Sequence, residues 1–303
     1  MYVFIVNPVA GNGRAEQILP HLTAEMKNRG LQWRVLKTTR PGDGTDIAAS
    51  MAEETIDGVI AVGGDGTFSE VSAGLAGGNI PMIFVPCGTG NDFVKTAALP
   101  KDPLKALKIQ LDAPVGRIDM GRVNGHYFLN VSGTGLDVDA LLETEKHKKS
   151  GKGLKPYLLG VKDAISGYKP VKALISYDDE PMREDLFTIL SIGNGCYIGG
   201  GMHAVPGAVL NDGLFDVVQI RPVKKWMIAI LMLLFIPGLH VKTSLAICRK
   251  VKKLRIRRKN MVLNLDGELI PCEDAMFEIT EDALPVRLPC CAVASSCAQE
   301  KTA

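Results

Sequence analysis

Over the first hundred positions, apolar residues fall into short solid runs separated by stretches with helical spacing. Positions 2–6, 59–62 and 80–85 are nearly continuous apolar segments, the pattern of strands buried on both faces. Between the first two runs, Ile18, Leu22 and Met26 recur every four residues, which predicts a helix from about 15 to 29 ended by Gly30. Positions 32–36 read as a second strand and 46–54 as a second helix. Phe68, Val71, Leu75 and Ala76 mark a third helix. Such alternation predicts a parallel sheet with right-handed crossovers.

Beyond residue 115 the pattern changes. Strand-like runs follow one another at 117–123, 127–131, 171–177, 187–192, 215–220, 253–257, 261–265 and 275–280, with a hairpin signal at Asn124-Gly125. They predict an antiparallel sandwich or barrel, interrupted by helical inserts around 138–167 and 223–236. The expected organisation is an α/β nucleotide-binding domain over 1–120, an antiparallel β-sandwich domain over 121–289, and a tail over 290–303.

The chain has 303 residues, 46% hydrophobic and 22% charged, with net charge +2, which is ordinary globular composition and gives no nucleic-acid partner. The cations cluster, however. Arg249, Lys250, Lys252, Lys253, Arg255, Arg257, Arg258 and Lys259 form one group, and Lys146, Lys148, Lys149, Lys152 and Lys155 another. Met1 leads straight into a strand, without the charged flank or cleavage site of a leader. With seven cysteines, this predicts reduced thiols in a cytoplasm. Cys290, Cys291 and Cys297 are expected in an inert tail rather than a metal cluster. Residues 226–236 are uninterrupted apolar sequence, but eleven helical residues span only about 17 Å, too short to cross a bilayer. They fit either a buried helix or an apolar face lying on a membrane surface.

The candidate chemistry sits in the loops that end the parallel strands. Gly63-Gly64-Asp65-Gly66-Thr67 puts a carboxylate inside a glycine turn. Pro86-Cys87-Gly88-Thr89-Gly90-Asn91-Asp92 follows the next strand, and Asn7-Pro8-Val9-Ala10-Gly11 follows the first. Glycines let backbone N–H groups approach phosphate oxygens, and a carboxylate among them can hold Mg²⁺. One such loop is weak; several on one sheet edge point to nucleotide-dependent phosphoryl transfer. Thr38 or Thr39 could touch the nucleotide from the second strand. Asp65 is the strongest candidate for metal binding. Asp92 and Asp119 could complete a carboxylate network, or serve as cap and turn residues. Residues 193–201 are too glycine-rich for a regular element. Asp212 and the Asp266-Gly267-Glu268 segment fit a cation site and a general base, or ordinary turns.

In order and combination, these motifs resemble the diacylglycerol kinase catalytic-domain family, specifically its soluble bacterial lipid kinases; sphingosine and ceramide kinases belong to the same family. Further markers are Asn130-Val131-Ser132-Gly133-Thr134-Gly135-Leu136-Asp137, the 193–201 segment, Asn211-Asp212-Gly213-Leu214 and Leu265-Asp266-Gly267-Glu268. The likeness runs from the first strand to about residue 289. It implies an active site in the cleft between the two domains. ATP would be bound by Asn7, Pro8, Val9, Ala10, Gly11, Thr38, Gly63, Gly64, Asp65, Gly66, Thr67 and Thr89, with Glu70, Gly88 and Asn91 completing the contacts. Asp65, Asp92 and Asp119 would surround a catalytic Mg²⁺. A second, structural Mg²⁺ would be held by Asp212 with the carbonyls of Val209 and Leu214. Asp266 and Glu268 would be the catalytic carboxylates, Glu268 the base. Phe68-Ser69-Glu70 departs from the aliphatic-Asn-Glu of many relatives. The expected reaction is phosphorylation of a lipid hydroxyl, first that of diacylglycerol, drawn from the inner face of the membrane. The 226–236 segment and the 249–259 run are candidates for docking there, and a homodimer is open. Another lipid alcohol or a sphingoid base is the nearest alternative; NAD phosphorylation and a non-catalytic regulator are more remote.

Overall fold

The computed structural model describes residues 1–147 and 155–289. The predicted alternation is present as β1 (Tyr2–Val6), α1 (Ala10–Asn28), β2 (Trp33–Lys37), α2 (Asp43–Ala49), β3 (Gly58–Gly63), α3 (Asp65–Leu75), β4 (Met82–Pro86), α4 (Asp92–Thr96) and α5 (Pro103–Asp112). The four strands are parallel in the order β2-β1-β3-β4. Phe4, Ile5, Ile60, Val62, Ile83 and Phe84 are fully buried, which explains why these strands read as solid apolar runs.

Two boundaries differ from expectation. α1 starts at Ala10, but Gly11, Asn12 and Gly13 have positive φ, so its regular part begins near the expected position. α2 is earlier and shorter than 46–54, because Glu70 and Asp43 organise its N-terminus. At β4 the sheet leaves backbone groups open, since β14 pairs with it only at Met82. The buried Gln110 side chain of α5 closes that gap, accepting from Phe84 N–H at 2.9 Å and donating to Phe84 C=O at 2.7 Å.

The second half contains β5 (Val115–Val123), β6 (His126–Phe128), β7 (Val131–Gly135), α6 (Leu136–His147), α7 (Lys155–Gly167), β8 (Val171–Tyr177), β9 (Arg183–Phe187), β10 (Ile189–Gly193), β11 (Phe215–Ile220), α8 (Lys225–Phe235), β12 (Ala246–Val251), β13 (Lys253–Leu265) and β14 (Glu268–Arg287). Its strands pair antiparallel, as β12-β11-β10-β7-β13-β14, with β8 on β13 and β5 on β14. Asn124-Gly125 forms the expected tight turn, both residues at positive φ.

The strand expected at 187–192 is divided at Thr188 between β9 and β10. Those at 253–257 and 261–265 are one strand with an irregularity between Arg257 and Met261, and that at 275–280 is the middle of the 20-residue β14. The insert at 138–167 is two helices. The 290–303 tail, with Cys290, Cys291 and Cys297, lies outside the described residues, as do Lys148, Lys149 and Lys152.

β14 ties the halves together. Its first part pairs with β13; its last part crosses to the α/β half, where Ala283, Leu284 and Val286 pack with Val3, Val59, Phe68 and Phe84. Among the described residues, no helix is long and apolar enough to cross a membrane.

Candidate active site

The three glycine loops meet at the carboxyl edge of the parallel sheet. Cys87 N–H and Gly88 N–H both donate to Gly63 C=O, at 2.7 and 3.1 Å. Asn7 Nδ2 donates to Thr67 Oγ1 at 3.3 Å. The approach leaves no room for side chains. A Cβ on Gly88 would lie 2.5 Å from Gly64 Cα, and one on Gly11, held at φ 60°, would collide with Cys87 C=O. Asn7, Gly11, Gly63, Gly64, Thr67, Gly88 and Asn91 therefore form one cluster, with Pro8, Val9, Ala10 and Gly66 on its loops and Thr89 exposed at its rim. Thr38 is buried beside β1, its N–H donating to Val6 C=O at 2.9 Å. Glu70 is turned elsewhere. Its two oxygens accept from Gly42 and Gly44 N–H at 3.0 Å each, anchoring the start of α2. A nucleotide role for Glu70 is not supported by this arrangement.

Asp65 opens α3 and reaches the start of α4, where its carboxylate accepts from Phe93 N–H at 3.1 Å. Burial pushes its pKa up, and the negative Asp92 adds to the rise. Asp92 ion-pairs with Lys95 at 2.9 Å and accepts from Gly200 N–H at 2.7 Å. That second bond brings the glycine-rich 193–201 loop of the other half onto α4. Gly199, Gly200 and Gly201 all have positive φ, so the segment's glycine content is a backbone requirement.

Asp266 arrives from the sandwich. Asp266 and Gly267 form a two-residue left-handed turn between β13 and β14. The turn carries the Asp266 carboxylate onto three successive N–H groups, Leu129 at 2.6 Å and Asn130 and Val131 at 3.0 Å. Those bonds favour the charged form, yet burial outweighs them and the pKa is raised to about 6, with a smaller push from Asp65. Asp65, Asp92 and Asp266 line one cleft of about 190 Å³ with Asn264, Tyr197 and Gly200. Glu268 is exposed on the strand just after the turn.

Asp119 is not brought to this cleft. Its oxygens accept from Gly213 N–H and Asp282 N–H at 2.8 Å each, clamping the 209–214 loop to β14. The strand position that suggested a shared network instead aims its side chain at the neighbouring loop. At that loop, Asp212 is already answered by a cation. Lys250 Nζ lies 2.8 Å from Asp212 and 2.7 Å from Asp216. A cation held by Asp212 with the carbonyls of Val209 and Leu214 would have to displace this half-exposed lysine. Among the described residues, no group of three or more His, Cys, Asp and Glu side chains is arranged to hold a metal.

Sequence reasoning missed a second, apolar chamber that shares Leu141, Ile198, Gly199 and Asn264 with the cleft. α6, α7 and α8 wall it with Leu136, Ala164, Ile165, Ile228, Met232 and Phe235. At its polar end stands Asp137, whose two carboxylate oxygens are inaccessible to solvent and have only weak polar neighbours, the Asn264 side chain and the Val138 N–H. Burial raises its pKa to about 7. The signal in the sequence was an acid between Leu136 and Val138 directly after the buried strand Val131–Gly135. Because the folded form holds the proton more tightly, stability should fall as pH rises from about 4 to 7, by up to about 4 kcal/mol from this group. Asp137→Asn is accordingly expected to raise the melting temperature at about pH 8 and change it little at about pH 5. Equal effects at both pH values would refute the raised pKa.

Comparisons with known proteins agree with the two-part fold. Residues 1–123 match the Diacylglycerol kinase catalytic domain, and 130–288 the YegS C-terminal NAD kinase beta sandwich-like domain. The chain is 31% identical over 268 residues to a diacylglycerol kinase of Staphylococcus saprophyticus, covering 87% of each chain. It is 30% identical over 269 residues to that of Bacillus subtilis, covering 87% of this chain and 88% of the relative. The crystal structure of a diacylglycerol kinase from Bacillus anthracis superposes with a TM-score of 0.73 at 21% identity, covering 96% of this chain and 98% of that one. An NAD kinase from Archaeoglobus fulgidus in complex with ATP shares the fold more distantly, with a TM-score of 0.52 at 10% identity and coverage of 95% and 93%.

Proposed function

This chain belongs to the diacylglycerol kinase catalytic-domain family of lipid kinases, and from that premise we propose that it transfers the γ-phosphate of ATP to the hydroxyl of diacylglycerol, giving phosphatidate. The observation that carries the lipid reading is the apolar chamber opening beside the carboxylate cleft. The chamber is about 60 Å³ as it stands, so α6, α7 and α8 would have to part to admit acyl carbons, which would leave the head hydroxyl near Asp137 and Asn264, facing Asp65 and Asp266.

The loops around Gly11, Gly64 and Gly88 would cradle the phosphates with backbone N–H groups. Mg²⁺ in kinases is held largely by substrate phosphates with one or two carboxylates, a role that the buried, charge-crowded Asp65 fits. When bound, the ion would offset charge on the phosphates. The lipid oxygen forms its bond to the γ-phosphorus as the bond to the β-bridging oxygen breaks and ADP leaves. The hydroxyl proton would pass to Glu268, or to Asp266, the one of the two that lines the cleft. Asp266, pinned by three N–H groups, positions the turn from which Glu268 projects. Lys95 stands beside Asp92, where it can meet phosphate charge. The reaction belongs at the cytoplasmic face of the membrane, where ATP and lipid meet.

The buried Asp137 carboxylate at the end of the chamber favours one second reading, an amine-bearing lipid alcohol such as a sphingoid base, whose ammonium it would pair. Transfer of labelled phosphate from ATP·Mg²⁺ in mixed micelles tests both. Labelled phosphatidate from diacylglycerol is the expected result. Product only from the sphingoid base would select the second reading, and no lipid product would refute both.

A further inference from the structure

α8 is apolar on both sides, yet only one side is covered. Ile228, Leu231 and Phe235 face the interior, and Ile228, Met232 and Phe235 help wall the apolar chamber. On the opposite side Trp226, Ile230 and Leu233 follow at helical spacing, exposed by 65%, 53% and 70%. Just beyond the helix, Ile236 and Leu239 are exposed as well. Single exposed apolar residues are ordinary, but five large ones on one short segment need an occupant.

The surrounding charge says which. Between Asp216 and Asp266 the chain has no acidic residue and twelve lysines and arginines. Most of the 249–259 run is already neutralised. Arg249 pairs with Glu180, Lys250 with Asp212 and Asp216, Lys252 with Glu281, Lys253 with Glu278, and Arg255 and Arg257 with Asp274. The long basic run is thus largely an ion-paired sheet face, which removes it as the main anion-docking surface. Arg221, Lys224 and Lys242 are different. They flank α8, are exposed, and make no ion pair among the described residues. An apolar helix face rimmed by unpaired cations matches an anionic lipid surface, with the rings and branched chains in the acyl boundary and the cations at the headgroups.

We infer that α8 is an interfacial helix that seats the protein on an anionic bilayer through Trp226, Ile230, Leu233 and Ile236, while its inner face walls the lipid chamber. The inference rests on the lipid-kinase reading for its purpose, since one helix then lies between membrane and chamber. A lipid need only pass around or under α8 to reach the cleft.

Trp226 supplies its own probe, because the only other tryptophan is Trp33. In a Trp33→Phe background, phosphatidylcholine–phosphatidylglycerol vesicles should shift Trp226 emission to the blue, and bromine-labelled acyl chains should quench it. Ile230→Glu with Leu233→Glu should weaken vesicle binding by more than roughly tenfold while leaving the melting curve unchanged, because both side chains are exposed. No blue shift and no quenching, in protein that still phosphorylates a micelle-dispersed short-chain diacylglycerol, would overturn the docking inference and leave the kinase reading standing. Vesicle docking through α8 without phosphorylation of any lipid would support the inference and sink the kinase reading. A dimer in solution that the double variant converts to monomer, with vesicle binding unaltered, would show the face to be a contact between two copies and overturn the inference.

Discussion

Asp65→Asn should lower phosphate transfer to diacylglycerol by roughly 10²–10³-fold, the scale of losing one electrostatic group aimed at developing charge. The fold should survive, because the asparagine carbonyl can still accept from Phe93 N–H and the substitution removes a buried charge beside Asp92. The melting temperature should therefore hold or rise. Labelled-phosphate transfer and a thermal melt on the same preparation decide the matter. Near-normal turnover in the variant would exclude Asp65 from the reaction, and loss of turnover with collapse of the melt would reduce it to a structural role.

The paired substitutions Asp266→Ala and Glu268→Gln should separate two carboxylates that sequence alone left together. Asp266→Ala strips the partner from three N–H groups, at Leu129, Asn130 and Val131. Its expected cost is about 2–4 kcal/mol of stability, less than three lost bonds would suggest because the removed carboxylate is itself poorly solvated. Glu268 is exposed, so Glu268→Gln should leave stability unchanged while reducing turnover by roughly 10²–10⁴-fold, the range for a general base. Denaturant melts and turnover for both variants give the answer. If Glu268→Gln stays active while Asp266→Asn, which keeps an acceptor for the turn, is dead, the base is Asp266.

Legibility in the sequence followed burial. β1, β3 and β4 are buried on both faces, so their residues are almost all apolar, and the turns Asn7-Pro8, Gly63-Gly64 and Pro86-Cys87-Gly88 mark their ends. β13 and β14 were read only in fragments because their exposed and half-buried positions carry Arg255, Arg257, Lys259, Glu278 and Asp282 among apolar neighbours. In a strand solvated along one side, those charges look like breaks. The glycine loops were legible as a site because close backbone approach demands glycine whatever the ligand. Carboxylates were harder. Asp65, Asp92 and Asp266 line one cleft, but Asp119 and Glu70 spend their oxygens on nearby backbone N–H groups. Nothing in local sequence tells a carboxylate aimed at a ligand from one holding a loop. Lys250 and Asp212 are far apart in the chain and meet only through the β11–β12 pairing. The apolar chamber depended on three helices from separate segments, which no single periodicity reveals.

The crossing of β14 into the α/β half also bears on how the chain acquires its structure. The strands and helices up to about residue 112 are made first, but Ala283, Leu284, Val286 and Leu288, which complete their core, follow about 170 residues later. A nascent α/β half would wait on the ribosome with an open apolar flank beside β4 until the rest of the polypeptide emerged. Contacts so distant in sequence are slow to close, and an uncovered strand edge in the interval invites wrong pairing. The α/β half would therefore complete its core only once the sandwich strand that crosses into it has been made.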